Sequence, residues 1–126
     1  MRSILFADNL FLGHLARRRE KKIRRKLNEN SGMLDTFLIV LPRHGNDLLE
    51  IVHSSVLMQP YFDYYPPLIV GIAIGKYEAM LLLQEIVRRV LCDTGGYDYK
   101  SYFKFRDERS MESISHGDSP LGEDKK

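Results

Sequence analysis

The clearest pattern in the chain is an apolar run followed at once by a long amphipathic segment. Residues 68–74 are apolar throughout, with one glycine among them, and residues 76–91 carry apolar side chains at helical spacing. A short apolar run is typical of a buried strand, and apolar residues three and four positions apart are typical of an amphipathic helix. The sequence therefore predicts a strand that turns directly into a helix and packs against it as one nucleus.

Alternation along this strand predicts two faces, because successive side chains of a strand point in opposite directions. One face is expected to carry Leu68, Val70, Ile72 and Ile74, and the other Ile69, Gly71 and Ala73. The expected roles of the glycines are close packing at Gly71 and the turn at Gly75. The glycine pair after Cys92, Gly95 and Gly96, is of the kind that ends a helix.

The predicted helix has a wide apolar arc. Its main stripe is expected to contain Ala79, Leu83, Ile86, Val87 and Val90, with Met80, Leu82 and Leu91 at its flanks and Leu81 outside it. An arc of this width exceeds what one face of a three-stranded sheet requires. The excess suggests a surface that contacts a partner.

Two further strands are predicted upstream, over residues 37–41 and 48–53. The six residues between them are rich in turn formers and are too few for a crossover helix, so the two strands are expected to form an antiparallel hairpin. Residues 54–60 are expected to form an irregular or helical turn, and residues 98–105 a last short strand or a helical turn. The fold class is therefore α+β, with a small three-stranded, mainly antiparallel sheet, a long helix on one face and a basic N-terminal helix.

The N-terminal region is apolar over residues 2–16 and strongly basic over residues 17–26. A signal peptide has the opposite order of charge, while an organelle transit peptide remains open as an alternative. The basic segment is predicted to be helical, ending between residues 28 and 32. The chain is thus expected to divide into a basic helical arm (1–32), an α+β core domain (33–105) and a disordered polar tail (106–126). The uncovered sheet face is expected to need the N-terminal helix or a second subunit.

Composition excludes several classes of protein. The single cysteine, Cys92, excludes an intramolecular disulfide and a multi-cysteine zinc site, and it favours a reducing, cytoplasmic location. A buried structural role is expected for it. No apolar run approaches the ~20 residues that span a bilayer. The net charge of +2 conceals an asymmetry, because residues 1–32 hold nine Lys or Arg against three acidic residues.

The leading hypothesis for function is a non-enzymatic protein-interaction module that self-associates or binds another protein. Its expected interface is the proline-bounded aromatic loop together with the exposed side of the helix, since tyrosine is favoured at interfaces. The interface residues would be Tyr61, Phe62, Tyr64, Tyr65 and Leu81.

The alternative hypothesis is a nucleic-acid-binding or ribosome-associated accessory protein, because clustered cations neutralise phosphates. Its binding residues would be Arg17, Arg18, Arg19, Lys21, Lys22, Arg24, Arg25 and Lys26. Contact with an anionic membrane, or a plain solvated or intramolecular role, remains open for the same segment.

Enzymatic and cofactor chemistry has weaker support. His44, Asp47, Glu50 and His53 are residue types used for metal or acid–base chemistry, yet they match no established spacing. Likewise Gly71 to Lys76 lies at a strand-to-helix turn, where phosphate can bind, but it departs from the P-loop pattern. We expect no catalytic residues, no metal and no cofactor.

Overall fold

The computed structural model describes residues 4–44 and 47–104. Four strands lie in this range: β1 (Leu5–Leu12), β2 (Thr36–Leu41), β3 (Glu50–His53) and β4 (Leu68–Ile74). The helices are α1 (Glu20–Asn28), α2 (Tyr61–Tyr64), α3 (Lys76–Thr94) and α4 (Tyr99–Tyr102), with two 3₁₀ helices over Ala16–Arg19 and Ser54–Met58. The predicted α+β class, the strand-to-helix unit and the β2–β3 hairpin are confirmed. The expected tail, 106–126, lies outside the described residues.

The sheet has four strands in the order β1-β4-β2-β3, and this corrects the three-stranded, mainly antiparallel prediction. Strand β2 is antiparallel to both β3 and β4, whereas β1 is parallel to β4. The extra strand comes from the apolar N-terminal residues, where Leu5 is opposite Leu68 and Leu12 is opposite Ile72. The sheet is therefore mixed, and β4 lies inside it with a strand on each side.

A bulge in β4 corrects the predicted alternation. Ile39 is paired with Gly71 and the next residue, Val40, with Ile69, so Val70 has no opposite partner. An extra residue in one strand reverses the sheet face to which the later side chains of that strand point. Leu68, Val70 and Ala73 consequently share one core cluster, while Ile69, Ile72 and Ile74 belong to the cluster on the other face.

Helix α3 covers one face of the sheet through four buried residues, Ala79, Leu82, Ile86 and Val90. Leu82, expected at the flank of the main stripe, is buried, whereas Leu83 and Val87 of that stripe are only partly buried. At Gly71, a Cβ atom would lie 3.1 Å from Leu82 Cδ2 and 3.2 Å from Ile86 Cδ1. The predicted close approach is thus confirmed. Gly75 and Gly95, at the two ends of α3, have φ values of +85° and +79°, which favour glycine.

Helix α1 covers the opposite face, so of the two covers predicted for it, the N-terminal helix or a second subunit, the structure has the helix. Ile23 and Leu27 are buried in the cluster that contains Leu38 and Ile72 of the sheet. Ala16 and Leu57, from the two 3₁₀ helices, complete this layer. The protein therefore has three layers, with α3 and α1 on opposite faces of one sheet.

The last described helix, α4, closes the core near the end of α3. Tyr99 and Phe103 are buried in the same cluster as Val90. The Tyr102 hydroxyl donates a hydrogen bond of 2.7 Å to Asp93 Oδ2, and this bond raises the pKa of Tyr102. Of the two alternatives for this segment, the helical turn is confirmed.

Candidate functional site

The outer face of α3 carries apolar side chains that no other part of the described structure covers. Tyr77 is 75% exposed, Met80 49%, Leu81 47% and Leu91 40%. We name these four residues the outer stripe. Their positions follow the excess of apolar residues predicted for this helix, and Leu81 lies on the solvent side as expected. Exposed apolar residues that line up on one helix form a contiguous patch, unlike residues scattered singly.

A groove of about 610 Å³ lies beside the first half of the outer stripe. One wall is formed by Leu12, the last residue of β1, and by Leu15. Tyr77, Leu81 and Leu82 form the other wall. Leu15 is itself 50% exposed. The groove and the outer stripe share Tyr77 and Leu81 and therefore make one continuous apolar surface.

The base of this groove is fixed by Glu78. Its Oε1 accepts a hydrogen bond from the Leu15 backbone N–H and its Oε2 accepts one from the Ile74 N–H, each at 2.8 Å. Gly13 makes room for the carboxylate, because a Cβ atom there would overlap Glu78. A carboxylate at the N-terminus of a helix is also favoured by the helix dipole. The strand-to-helix turn thus holds the chain's own anion, and the charge of Glu78 disfavours a phosphate group at Gly71 to Lys76.

The second half of α3 adds charge around the outer stripe. Arg88 Nη2 lies 2.7 Å from Glu85 Oε2, and Arg89 Nη2 lies 3.7 Å from the same atom. The hydrogen bond from Arg88 lowers the pKa of Glu85 and raises that of Arg88. Cys92 is exposed on this helix, so the expectation of a buried cysteine is wrong.

The aromatic loop lies at the other end of β4 from the groove, because it precedes Leu68 whereas the groove adjoins Ile74. Tyr61, Tyr64 and Tyr65 are exposed, with Tyr64 at 78%. Phe62 instead packs against the core cluster on the α1 side of the sheet. The rings of Tyr61 and Tyr65 are 5.1 Å apart, and His44 packs edge-on against Tyr65 at 5.2 Å. The predicted interface residues are therefore divided between two surfaces.

The basic residues form the outer surface of α1 and of the 3₁₀ helix before it. Two of them are paired: Arg19 with Asp35 at 3.2 Å, and Arg24 with Glu20 at 2.9 Å. Among the described residues, the other six make no ion pair. We name these six the basic face: Arg17, Arg18, Lys21, Lys22, Arg25 and Lys26. The apolar side of α1 is buried within the protein, so this helix has no free apolar face to insert into a membrane.

His44 and His53 do not converge. His53 is opposite Phe37, at one end of the hairpin, whereas His44 follows the other end of β2. The Nε2 atom of His53 lies 2.9 Å from the Leu34 carbonyl oxygen, and its Nδ1 lies 3.2 Å from the Ser55 backbone nitrogen, which donates to it. Within residues 4–44 and 47–104, no three His, Cys, Asp or Glu residues are grouped to hold a metal ion. The two-histidine hypothesis is therefore contradicted.

Comparisons with known proteins give no relative. No protein-family model matches the chain, and neither a curated protein nor a solved structure does. Over the part of the chain that the structure describes, none of the helices combines the length and apolar character that crossing a membrane requires. The candidate surfaces must therefore be interpreted from their own chemistry.

Proposed function

We propose that the protein is a non-enzymatic interaction module that forms a homodimer through the outer stripe of α3. The observation that carries this proposal is the exposure of Tyr77, Met80, Leu81 and Leu91 along one side of a single helix. Burying such side chains contributes about 25 cal/mol per Å² of apolar area. The most direct way to bury a helix face is to pack it against a second helix.

The spacing on this side of α3 supports an antiparallel pair of helices. Tyr77, Gln84 and Leu91 recur at the seven-residue interval found in coiled coils. Gln84 is exposed and lies midway between the other two residues. When two copies pack antiparallel about Gln84, Tyr77 of each copy lies opposite Leu91 of the other. A polar residue at such a central position fixes register at some cost in stability.

The groove adds area to the same interface. A twofold interface uses the same patch on both subunits, so the groove beside Tyr77 would receive a side chain from the second half of the other α3. Gln84 also lies midway between Met80 and Arg88, and this places the aliphatic part of Arg88 over Met80 of the other copy. The surface is thus complementary to itself in both apolar and polar positions.

The test is the mass of the particle in solution, measured by sedimentation equilibrium and native mass spectrometry in reducing buffer. We expect twice the 14.7 kDa chain mass, unchanged in high salt because the contact is apolar. Leu81→Glu places a charge in the interface and should give a monomer. Leu34→Glu makes the same change at a leucine that is 96% exposed and belongs to neither the outer stripe nor the groove, and should leave the dimer intact.

Two results would contradict the proposal. One is a monomeric wild-type protein at concentrations of tens of micromolar, which would indicate that the outer stripe binds a different protein. The other is a dimer that persists in Leu81→Glu, which would indicate that the interface is the aromatic loop around Tyr64. Nuclease treatment before the measurement separates a dimer from two chains held on one nucleic acid.

A second candidate function is nucleic-acid binding through the basic face. It is supported by the six cations of the basic face, two on the 3₁₀ helix and four on α1, whose apolar side is already buried. Binding to single-stranded RNA and to duplex DNA should be measured by fluorescence anisotropy at several salt concentrations. Replacing all six residues by glutamine should abolish binding. Replacing two should reduce the slope of the logarithm of the RNA binding constant against the logarithm of salt concentration by about 1.4 in magnitude. Unchanged binding would remove this candidate.

A further inference from the structure

The basic face borders a second cavity, a cleft of about 380 Å³ between α1 and the loop that leads into β2. Arg19, Lys22 and Lys26 line it from the helical side, on successive turns. Asp35 and Thr36 line it from the other side. The volume lies in the range of ~300–1,000 Å³ that is typical of small-ligand sites.

We propose that this cleft binds the phosphate group of a small phosphomonoester. The three cations and Asp35 leave a formal charge of +2 on the lining, which matches a phosphate group that carries about −2 near neutral pH. Arg19 is held by its ion pair with Asp35, so its guanidinium is already oriented at the cleft mouth. Guanidinium and ammonium groups together are the usual protein donors to phosphate oxygens.

Thr36 supplies an independent observation. Its side chain is buried, with 1% of its surface exposed, yet it lines the cleft. The contacts of its hydroxyl within the described residues are to Met33 Sδ at 3.6 Å and Asp35 Oδ1 at 3.5 Å. The Asp35 distance is long for an O–H···O hydrogen bond, which is ordinarily 2.5–3.0 Å, whereas 3.6 Å is an ordinary distance to the larger sulfur atom. The hydroxyl therefore has one sulfur acceptor and one distant oxygen acceptor, and a charged phosphate oxygen of a bound ligand would be a stronger acceptor for its proton.

The loop wall of the cleft is held in place from behind. The Ser54 hydroxyl donates to the Met33 carbonyl at 3.2 Å, and His53 Nε2 lies 2.9 Å from the Leu34 carbonyl. Because the loop is fixed before a ligand arrives, binding costs less conformational entropy. Leu34, which is almost fully exposed beside the cleft, offers an apolar contact for the organic part of the ligand.

This site is separate from the dimer interface and differs from general nucleic-acid binding in its residues. Lys22 and Lys26 line the cleft, whereas Lys21 and Arg25, their immediate neighbours in sequence, do not. Removal of either pair takes two positive charges from the same helix. The two double variants therefore separate a defined site from nonspecific attraction to charge.

The experiment titrates inorganic phosphate and adenosine monophosphate into the full chain by isothermal calorimetry and by NMR. We expect a dissociation constant of about 1 mM or lower for the monophosphate. Lys22→Gln/Lys26→Gln should weaken it at least tenfold, and Lys21→Gln/Arg25→Gln less than threefold. Thr36→Val, which retains the shape of the side chain, should weaken it severalfold; Thr94→Val, the same change at a threonine that does not line the cleft, is its control.

Three outcomes would overturn the site: no binding of either ligand at 10 mM, equal loss in the two double variants, or full affinity in Thr36→Val with unchanged chemical shifts around residue 36. Equal loss together with RNA binding would assign the cations to nucleic acid alone. Thermal unfolding of each variant verifies that the fold is retained. Dimer mass is measured on the same samples, so failure of the cleft and failure of the dimer are recorded separately.

Discussion

Helices α1 and α3 cover opposite faces of the same sheet, but they are built in different ways. Helix α3 has 19 residues, buries four of them and keeps apolar side chains on its outer side. Helix α1 has nine residues, buries only Ile23 and Leu27, and is charged over the rest of its surface. Both are amphipathic towards the core. Their outer sides are what distinguish them, one apolar and one cationic.

The difference shows how a small domain can carry two unlike surfaces without enlarging its core. Packing an apolar outer side against another protein removes it from water, which is favourable. A cationic outer side remains hydrated until an anion binds. The attachments differ accordingly. α3 is joined to the sheet by an extensive core cluster, and α1 by two side chains plus a few contacts from neighbouring segments.

The largest expected effect is that of removing a core side chain beneath each helix. Ile86→Ala should lower the free energy of unfolding by about 3 kcal/mol, because Ile86 is fully buried below α3. Ile23→Ala removes a similarly buried side chain but should lower the free energy of global unfolding by less. The reason is that α1 can detach locally once its packing against the sheet is weakened. Urea denaturation gives the global free energy, and amide exchange of residues 20–28 detects local detachment.

This pair of variants tests directly whether α1 is attached to the sheet less firmly than α3. Equal global losses, with no faster exchange in α1, would show that α1 is as firmly integrated as α3. Leu34→Ala serves as the control, because that side chain is almost fully exposed and its removal should change neither quantity.

A smaller effect is expected at the start of α3. Glu78→Gln replaces one carboxylate oxygen with an amide nitrogen, which cannot accept a hydrogen bond. Either the Leu15 or the Ile74 N–H then loses its partner, at a cost of about 1–2 kcal/mol. Thermal and urea unfolding measure the change. Glu85→Gln, on the exposed side of the same helix, is the matched control. An equally large loss of unfolding free energy in Glu85→Gln would show that the two backbone hydrogen bonds of Glu78 contribute no extra stability.

The smallest expected effect concerns the attachment of α1. The guanidinium of Arg24 lies 4.4 Å from the centre of the Phe6 ring in β1 and is also paired with Glu20. Arg24→Gln should lower the free energy of unfolding by about 0.5–1 kcal/mol through loss of the contact with the ring. Arg25→Gln removes the same charge from the neighbouring exposed position. If the two variants have the same stability, the aromatic contact contributes nothing to holding α1.

Much of the core was predictable because local pattern and burial agree there. The run at residues 68–74 and the helix after it carry strong, unambiguous signals, and Gly71 and Gly75 have the roles expected of them. Turn-forming residues also identified the β2–β3 hairpin. In each case the information lies within a few consecutive residues.

The missed features depend on partners distant in sequence. Residues 5–12 are two short apolar stretches separated by Asp8 and Asn9, and this local pattern fits neither a strand nor a helix clearly. Their parallel pairing with β4 is set by tertiary packing. The bulge at Val70 is equally invisible in sequence, and it reversed the predicted facing of the second half of β4.

The candidate sites show the same division. The excess of apolar residues on α3 could be predicted, and so could the basic segment. The groove could not, because Leu12 and Leu15 reach Tyr77 only through the pairing of β1. The cleft at Thr36 needs a loop placed across from α1, and no motif marks it. Conversely, His44 and His53 are close in sequence but are separated by the length of the hairpin.

The parallel edge strand also affects how the molecule is made. A ribosome produces residues 5–12 early, but their hydrogen-bonding partners at 68–72 are synthesised much later. The loop that this pairing closes spans most of the domain, which slows folding compared with local contacts. Until β4 leaves the exit tunnel, the first strand has no native neighbour. Nascent chains in which β4 is still inside the tunnel should therefore depend on protection from aggregation more than the finished protein does.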